Sequence, residues 1–339
     1  MGKSMISSNL AVQYAQVGLR VILIDLDFGA ANVHTIFGLR KQIPGLGNFF
    51  FSSPSHPLVH YLHPTSEEKL SIISGGSFVP EMANLKERHK LRLINAIASL
   101  PADCVILDLG AGTSSHTIDF FSMTDVGLLI TTPEPTSVVN VYEFLKNVVY
   151  RMIYRLLKKD RAMLSSFLKE NQHPCQTHSS FTIVELLSRL RNQDPWLAEI
   201  VDQACGNFRP FLLLNQVKRP EEITIGKQIH QLAGKFLHLS LHYAGILFSN
   251  EQIASSVVQM NPFSLTYPDI LPSRMLRVIA KNILLDTHHF LRHFSSKLSF
   301  EEEYQAVCTQ MQENFEANFC MEKQTKRKRE QLYSLLQKR

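Results

Sequence analysis

The first thirty residues change from helical to strand-like spacing of apolar positions. Apolar residues recur at helical intervals after Ser4, at Ile6, Leu10, Val12, Ala15 and Val17. Gly18 follows, where a helix commonly ends. The next segment, RVILIDLD, is almost continuously apolar, which is typical of a parallel strand buried on both faces. The pattern predicts an amphipathic helix followed by a buried strand that ends at Asp25 and Asp27.

Three later apolar runs have the same character and are separated by helical patterns. They are CVILDLGAG at 104–112, VGLLITTPEPTS at 126–137 and PFLLLNQV at 210–217. Strands that alternate with helices predict an α/β fold with a doubly wound, mostly parallel sheet flanked by helices. Ligands of such sheets bind at the carboxyl ends of the strands. Asp25, Asp27, Asp108 and Asn215 all fall at predicted strand ends and are candidate site residues.

Two regions depart from this alternation. Residues 151–207 predict a helical insertion on the flank of the sheet, and residues 301–339 predict a C-terminal helical tail. The main α/β domain is therefore expected over residues 1–300, with the insertion inside it. In the insertion, His173, Cys175 and His178 resemble metal ligands, but no fourth ligand lies at zinc-site spacing.

The composition is that of a chain with a sizeable core. It has 339 residues, of which 45% are apolar and 19% charged. Its five cysteines are scattered without a C-x-x-C pair, which favours reduced thiols and a cytoplasmic location and opposes a protein that holds an iron–sulfur cluster on loop thiolates. No signal peptide or membrane-spanning apolar run is evident in the sequence.

The positive charge is concentrated at the end of the chain. The segment 323–339 has seven basic residues and one acid, whereas the whole chain has a net charge of only +5. A small apolar patch accompanies it at Leu332, Leu335 and Leu336. A basic amphipathic end favours contact with an anionic membrane surface, which predicts a peripheral location at the inner face of the cell membrane. A docking helix for a protein partner, a solvated tail and nonspecific DNA contact remain alternatives.

Residues Gly2, Lys3 and Ser4 match the end of the phosphate-loop pattern G-x-x-x-x-G-K-S/T. In that loop, backbone N–H groups surround the phosphates, the Lys reaches the β/γ-phosphate oxygens and the hydroxyl binds Mg²⁺. Three residues alone are weak evidence. The acids at the following strand ends make a Mg²⁺–nucleotide site the favoured interpretation.

The motifs together are more specific than any one of them. GKS, DLDFGAANVHTIFGL, VILDLGAG, TTPEPTSVVNVYEFLK, LLLNQVKRPEE and AGILFSNEQI occur in this order. The chain thereby resembles the MinD/ParA group of deviant-Walker P-loop ATPases, and within it the FlhG/FleN/YlxH branch of flagellar-number regulators. The resemblance covers about residues 2–150 and 208–268.

The resemblance implies ATP and Mg²⁺ as cofactors and gives each motif residue a role. Lys3 would neutralise phosphate charge, Asp27 would orient the attacking water, and Asp108 would hold the water shell of the metal. Metal contacts would come from Ser4, Asp25 and Asp108. The remaining nucleotide contacts would come from Gly2, Met5, Gly110, Gly112, Pro133, Glu134 and Asn215, the last three near the adenine.

The implied activity is ATP hydrolysis by a switch that dimerises with ATP and positions a cellular assembly or regulates its number. Two alternatives remain, a ParA-like DNA-partitioning ATPase and a non-enzymatic scaffold. The sequence departs from the family in two places. The signature lysine before the paired glycines has no counterpart, and Asn250 stands where the family has an acid.

Met1 occupies the variable position of the family loop K-G-G-x-G-K-S. We therefore expect the natural chain to begin upstream, with a β-strand and the rest of the loop. We also expect the chain as written to bind ATP weakly, because several phosphate-binding amides would be missing.

Overall fold

A computed structural model describes residues 2–39, 43–51, 56–76, 85–124, 126–157 and 183–286. The strands are β1 (Val21–Leu26), β2 (His63–Pro64), β3 (Leu70–Ile73), β4 (Cys104–Leu109), β5 (Gly127–Thr131), β6 (Pro210–Val217) and β7 (His242–Phe248). The helices of the first half are α1 (Lys3–Gln16), α2 (Val33–Ile36), α3 (Leu46–Phe51), α4 (Glu87–Ala98), α5 (Ser115–Phe121) and α6 (Pro135–Leu157). Those of the second half are α7 (Ile183–Gln193), α8 (Pro195–Asn207), α9 (Ile223–Leu237), α10 (Glu251–Val258), α11 (Phe263–Thr266) and α12 (Leu271–Asp286).

The strands form a sheet of order β2-β3-β1-β4 and a second sheet of order β5-β6-β7. All neighbouring strands are parallel except β2, which runs antiparallel to β3. Helices pack on both faces. The prediction of a mostly parallel sheet flanked by helices is therefore confirmed, and the predicted strands lie where the apolar runs occur.

A cavity of about 1140 Å³ separates the two sheets, and residues of both β4 and β5 line it. Among the described strands, β4 pairs only with β1 and β5 pairs only with β6. We refer to this cavity between Cys104–Leu109 and Gly127–Thr131 as the β4–β5 gap. The continuous sheet that the sequence predicts is thus divided in two.

Helix α1 differs from its prediction because it is not amphipathic. All ten residues from Ile6 to Ala15 are buried. The helix packs against the first sheet on one side and against α11 and α12 on another. Polar side chains are accommodated by internal hydrogen bonds. Asn9 Oδ1 accepts from the backbone N–H of Ser264 at 2.8 Å, and Asn9 Nδ2 donates to the carbonyl of Met5 at 2.7 Å.

The start of the predicted insertion falls inside a helix, because α6 continues without a break from Pro135 to Leu157. Further along, α7 and α8 pack against each other and contribute to the apolar core around α6 and α9. The loop with His173, Cys175 and His178 and the tail 301–339 lie outside the described residues. In the part that is described, no helix combines the length and the apolar character that crossing a bilayer requires.

Candidate functional site

The first turn of α1 places the predicted phosphate-binding residues at a helix N-terminus. Gly2 precedes the helix with φ 76°, in the left-handed region that glycine adopts without strain. The helix begins at Lys3 and has 14 residues. Its free N–H groups and dipole favour an anion at this end. A phosphate group is therefore a suitable ligand beside Lys3 and Ser4.

The end of β6 reaches the same place. A Cβ atom on Gly2 would lie 3.2 Å from Asn215 Nδ2. Asn215 is 8% exposed, and it comes from the second sheet, whereas the acids described below belong to the first. The N-terminus of α1 is therefore a point where both sheets contribute side chains.

Asp25 and Asp108 end β1 and β4 and are direct register partners. Asp25 is completely buried. Its Oδ1 accepts from the backbone N–H of Asp27 and its Oδ2 from that of Val33, both at 3.1 Å. Burial raises the pKa of Asp25 to about 7, the two N–H groups oppose this rise, and the nearby Asp108 adds to it. Asp25 can thus change protonation near neutral pH.

Asp108 has a buried oxygen, Oδ2, that has no hydrogen-bond partner among the described residues. Burial raises the pKa of this carboxyl, while the hydroxyls of Ser4 and Ser7 and the charge of Lys3 oppose the rise. A buried acceptor without a partner is costly unless a ligand satisfies it. A divalent cation or one of its water molecules would do so, and the residues present therefore fit Mg²⁺.

Asp27 follows β1 and faces the loop after β4. Its Oδ1 accepts from the backbone N–H groups of Gly29 at 3.3 Å and Ala30 at 3.1 Å. A Cβ atom on Gly110 would lie only 3.2 Å from Asp27 Cγ and Oδ1. Glycine therefore allows the loop to approach the carboxylate closely. Two residues later, Gly112 has φ 97° and open space around it.

Pro133 and Glu134 lie beyond the end of β5, one strand away from Asn215. Glu134 is exposed, and its carbonyl accepts from the N–H groups of Ser137 at 2.9 Å and Val138 at 3.1 Å, at the start of α6. Thr131 and Leu214 are register partners, so both loops leave the same edge of the second sheet. The assignment of Pro133, Glu134 and Asn215 to the adenine stays a prediction.

The structure therefore gathers most of the predicted site at one end of α1. The residues brought together are Gly2, Lys3, Ser4, Asp25, Asp27, Asp108, Gly110 and Asn215. Sequence reasoning missed Ser7, whose hydroxyl affects Asp108 and donates to the carbonyl of Ser4 at 3.1 Å. Ser7 lies one helical turn after Ser4, and this spacing could have indicated that the two hydroxyls share one face of the helix.

The described residues include no group of three or more His, Cys, Asp or Glu side chains that could hold a metal ion by themselves. Mg²⁺ commonly uses one or two carboxylates and takes its other ligands from water and phosphate oxygens. A Mg²⁺ ion at this site would therefore take most of its ligands from water and phosphate oxygens.

Known proteins resemble this chain in sequence. A family model described as ParA, NUBPL iron-transfer P-loop NTPase, matches residues 1–154. The flagellum site-determining protein YlxH of Helicobacter pylori is 27% identical over 154 residues, which are 43% of this chain and 49% of that protein. The antiactivator FleN of Pseudomonas aeruginosa is 21% identical over 295 residues, which are 84% of this chain and 82% of that protein. The match thus spans about half of YlxH and most of FleN.

Solved structures show the same fold. The septum site-determining protein MinD of Pyrococcus horikoshii, complexed with Mg-ADP, superposes with a TM-score of 0.57 at 13% identity. The superposition covers 88% of this chain and 94% of that one. Residues 1–154 therefore match a P-loop NTPase model of the ParA type, the chain is similar in sequence to YlxH and FleN, and it shares the fold of MinD.

Proposed function

We propose that the chain binds ATP with Mg²⁺ at the N-terminus of α1 and hydrolyses it. This proposal rests on the buried Oδ2 of Asp108, which lies close to Lys3 and Ser4 and has no hydrogen-bond partner in the part of the chain that the structure describes. A cationic side chain, a hydroxyl and an unsatisfied carboxylate at a helix N-terminus are complementary to a metal-bound phosphate.

The protein groups act mainly by positioning and by charge. Lys3 neutralises the β/γ-phosphate oxygens, and the N–H groups at Gly2, Ser4 and Met5 contact the phosphates. Ser4 and Asp108 would hold Mg²⁺ or its water ligands, with Asp25 close behind them. The ion would supply further neutralisation of phosphate charge. No covalent intermediate with a protein side chain is needed.

Asp27 is the residue best placed to orient the attacking water. It lies at the site but contacts backbone N–H groups of its own turn instead of the α1 terminus. Because Gly110 approaches its carboxylate, a movement of the loop after β4 reaches Asp27 directly. This loop continues through Gly112 into α5, which Ser114 caps by accepting from the N–H of Thr117 at 3.2 Å. The γ-phosphate can thereby control the position of α5.

We further propose that ATP favours a homodimer and that hydrolysis reverses it, so that the protein acts as a switch that positions a cellular assembly or regulates its number. The names of the relatives support this role, since one determines the flagellum site and another the septum site. The basic segment 323–339 provides the contact with an anionic membrane surface or a protein partner. We propose a location in the cytoplasm, at the inner face of the membrane when ATP is bound.

The proposal is tested by titrating the 339-residue chain with MgATP in a calorimeter. Lys3→Ala should weaken binding about ten- to a hundredfold, because a charge-assisted contact to phosphate contributes about 1.5–3 kcal/mol. Lys69→Ala is the matched control. Lys69 Nζ donates to the carbonyl of Gly18 at 3.0 Å, at the opposite end of α1, and its loss should leave the affinity unchanged. Equal affinity in the wild type and Lys3→Ala would refute nucleotide binding at this helix.

A further inference from the structure

Two histidines lie side by side on the surface at the outer edge of the first sheet. His56 and His60 are both exposed, and their ring centroids are 5.2 Å apart with 31° between the ring planes. They come shortly before β2, which is separated from β1 and Asp25 by β3 in the sheet order. The pair therefore lies outside the nucleotide site proposed above and needs an explanation of its own.

The backbone that carries the two rings is held by the core. The segment Leu58–Tyr61 is a short 3₁₀ helix, in which side chains three residues apart lie on the same face. Leu58 and Tyr61 occupy its buried face and belong to the same apolar cluster. The N–H of His60 donates to the carbonyl of Pro57 at 3.1 Å. Because this turn is anchored at two buried positions, the backbone beneath the rings is fixed.

The separation of the two rings is that of two ligands of one metal ion. An imidazole nitrogen bound to Zn²⁺ lies about 2.0–2.1 Å from the ion, which places the centroid of its ring about 3.2 Å away. Two rings bound at the tetrahedral angle then have centroids about 5.2 Å apart. This equals the separation of His56 and His60. Their spacing in the chain is also that of the two zinc-binding histidines of H-E-x-x-H.

The ring nitrogens of the pair are free to turn towards such an ion. Neither His56 nor His60 has a hydrogen bond to another of the described residues through its ring. The last torsion of a histidine side chain is broad, so an exposed ring can rotate at little cost. His63 differs, because its Nε2 donates to the carbonyl of Pro44 at 2.8 Å. His56 and His60 are therefore the available ligands in this segment.

We propose that His56 and His60 form a two-histidine site for a divalent transition-metal ion of the class that imidazole favours, Zn²⁺, Cu²⁺ or Ni²⁺, with water in the remaining positions. The site differs in ligand type from the carboxylates at the strand ends, since Mg²⁺ prefers oxygen. Structural zinc sites use four protein ligands, so an ion held by two exchanges with the solution. The site does not depend on nucleotide binding or hydrolysis.

The test is residue-resolved chemical modification of the full 339-residue chain. Diethyl pyrocarbonate acylates the free imidazole nitrogen, and mass spectrometry of peptides follows each of the 14 histidines separately. We expect saturating Zn²⁺ to slow modification of His56 and His60 by about tenfold or more, because the nitrogen with the free electron pair is then bound to the ion. Modification of His63 should not slow.

Single variants show whether the two rings share one ion. His56→Ala should raise the Zn²⁺ concentration that half-protects His60 by about ten- to a hundredfold or more, since even the loss of an outer-shell partner commonly costs that much metal affinity. His60→Ala should do the same to His56. His63→Ala is the matched control and should leave the protection unchanged. Both ligand positions are exposed, and circular dichroism checks that each variant is folded.

The choice of ion is tested on the same preparation. Cu²⁺ should protect the pair at a lower concentration than Zn²⁺, and Mg²⁺ at the same concentration should not protect it. Absence of protection by Zn²⁺ in the wild type, or unchanged protection of His60 in His56→Ala, overturns the site. Equal protection by Mg²⁺ overturns the assignment to a transition metal, and equal loss in His63→Ala overturns the two-ligand arrangement.

Discussion

Asp25 and Asp108 lie opposite each other in the register of β1 and β4, and both carboxyls are buried at the carboxyl ends of their strands. Asp25 has both oxygens satisfied by backbone N–H groups, whereas Asp108 retains one buried oxygen without a described partner. Two adjacent buried acids repel each other when both are ionised. The pair therefore favours a nearby cation.

Asp27→Ala should abolish hydrolysis while leaving MgATP binding largely intact. The carboxylate contacts the N–H groups of Gly29 and Ala30 and is placed to orient water. Loss of such a group lowers turnover by about 10²- to 10⁴-fold. Phosphate release and calorimetric binding would be measured on the same preparation, with Asp27→Asn as the isosteric variant. Wild-type turnover by Asp27→Ala would show that another group positions the water.

Asp108→Asn should weaken the binding of Mg²⁺ that accompanies ATP, because the buried carboxylate that would hold the ion or its water is neutralised. We expect the Mg²⁺ concentration required for half-maximal binding to rise by about tenfold or more, since contacts to charged groups contribute about 1.5–3 kcal/mol. Asp103→Asn is the matched control. Asp103 precedes the same strand at its other end and pairs with Arg20 at 2.6 Å, away from the site. An unchanged Mg²⁺ requirement in Asp108→Asn would contradict the assignment.

Asp25 should make the folded protein less stable as pH rises from about 4 to above 7. Its folded pKa is about 7, above the ordinary value of 3.8, so the folded state binds the proton more tightly than the unfolded state. The stabilisation of the folded state by protonated Asp25 is fully present below the pKa that this carboxyl has in the unfolded chain. It is lost as pH rises through the pKa that the carboxyl has in the folded protein. The full loss is on the order of 4 kcal/mol.

Asp25→Asn removes this titration and should flatten that part of the stability profile, whatever its effect on absolute stability. Urea unfolding between pH 4.5 and 8, without nucleotide or Mg²⁺, provides the measurement. Parallel profiles for the wild type and the variant would show that Asp25 does not titrate in this range.

Asp119→Ala should destabilise the fold by about 3–5 kcal/mol, because the buried Lys90 would keep only the exposed Glu87, at 2.8 Å, as a described partner. Asp119 on α5 is buried and pairs with Lys90 on α4, whose side chain is only 4% exposed. It also accepts from Arg151 at 2.8 Å and pairs with Arg155 at 2.7 Å, both on α6. Chemical denaturation measures the loss. The double variant Lys90→Met/Asp119→Leu should recover much of it, and no recovery would indicate that the arginine contacts dominate.

Deletion of 323–339 should reduce ATP-stimulated binding to anionic vesicles without lowering ATP affinity. The segment carries the excess positive charge of the chain, and each cation contributes about 1 kcal/mol near an anionic surface. Vesicle sedimentation with and without ATP would be compared for both lengths. Unchanged sedimentation would exclude membrane contact by the tail, and loss of duplex DNA binding instead would favour the partitioning alternative.

The sequence by itself determined four of the seven described strands, β1, β4, β5 and β6, and the acids at the ends of β1 and β4. A continuous apolar run followed by Asp or Gly is a local signal, and β1 and β4 lie where RVILIDLD and CVILDLGAG predict them. The order of GKS, D-x-D and D-x-G-A-G likewise predicted the P-loop NTPase fold. These features could be predicted because each depends on a short stretch of chain and on a general rule about strand ends.

Only the tertiary structure decided which of these residues meet and in what environment. The complete burial of α1, the role of Ser7, the pKa of Asp25 and the division of the sheet at the β4–β5 gap all depend on segments far apart in the chain. Asn215 reaches Gly2 across more than two hundred residues. The local spacing of apolar residues does not reveal such neighbours. The burial of a group and the shift of its pKa depend on all the residues packed around it and not on its own segment alone.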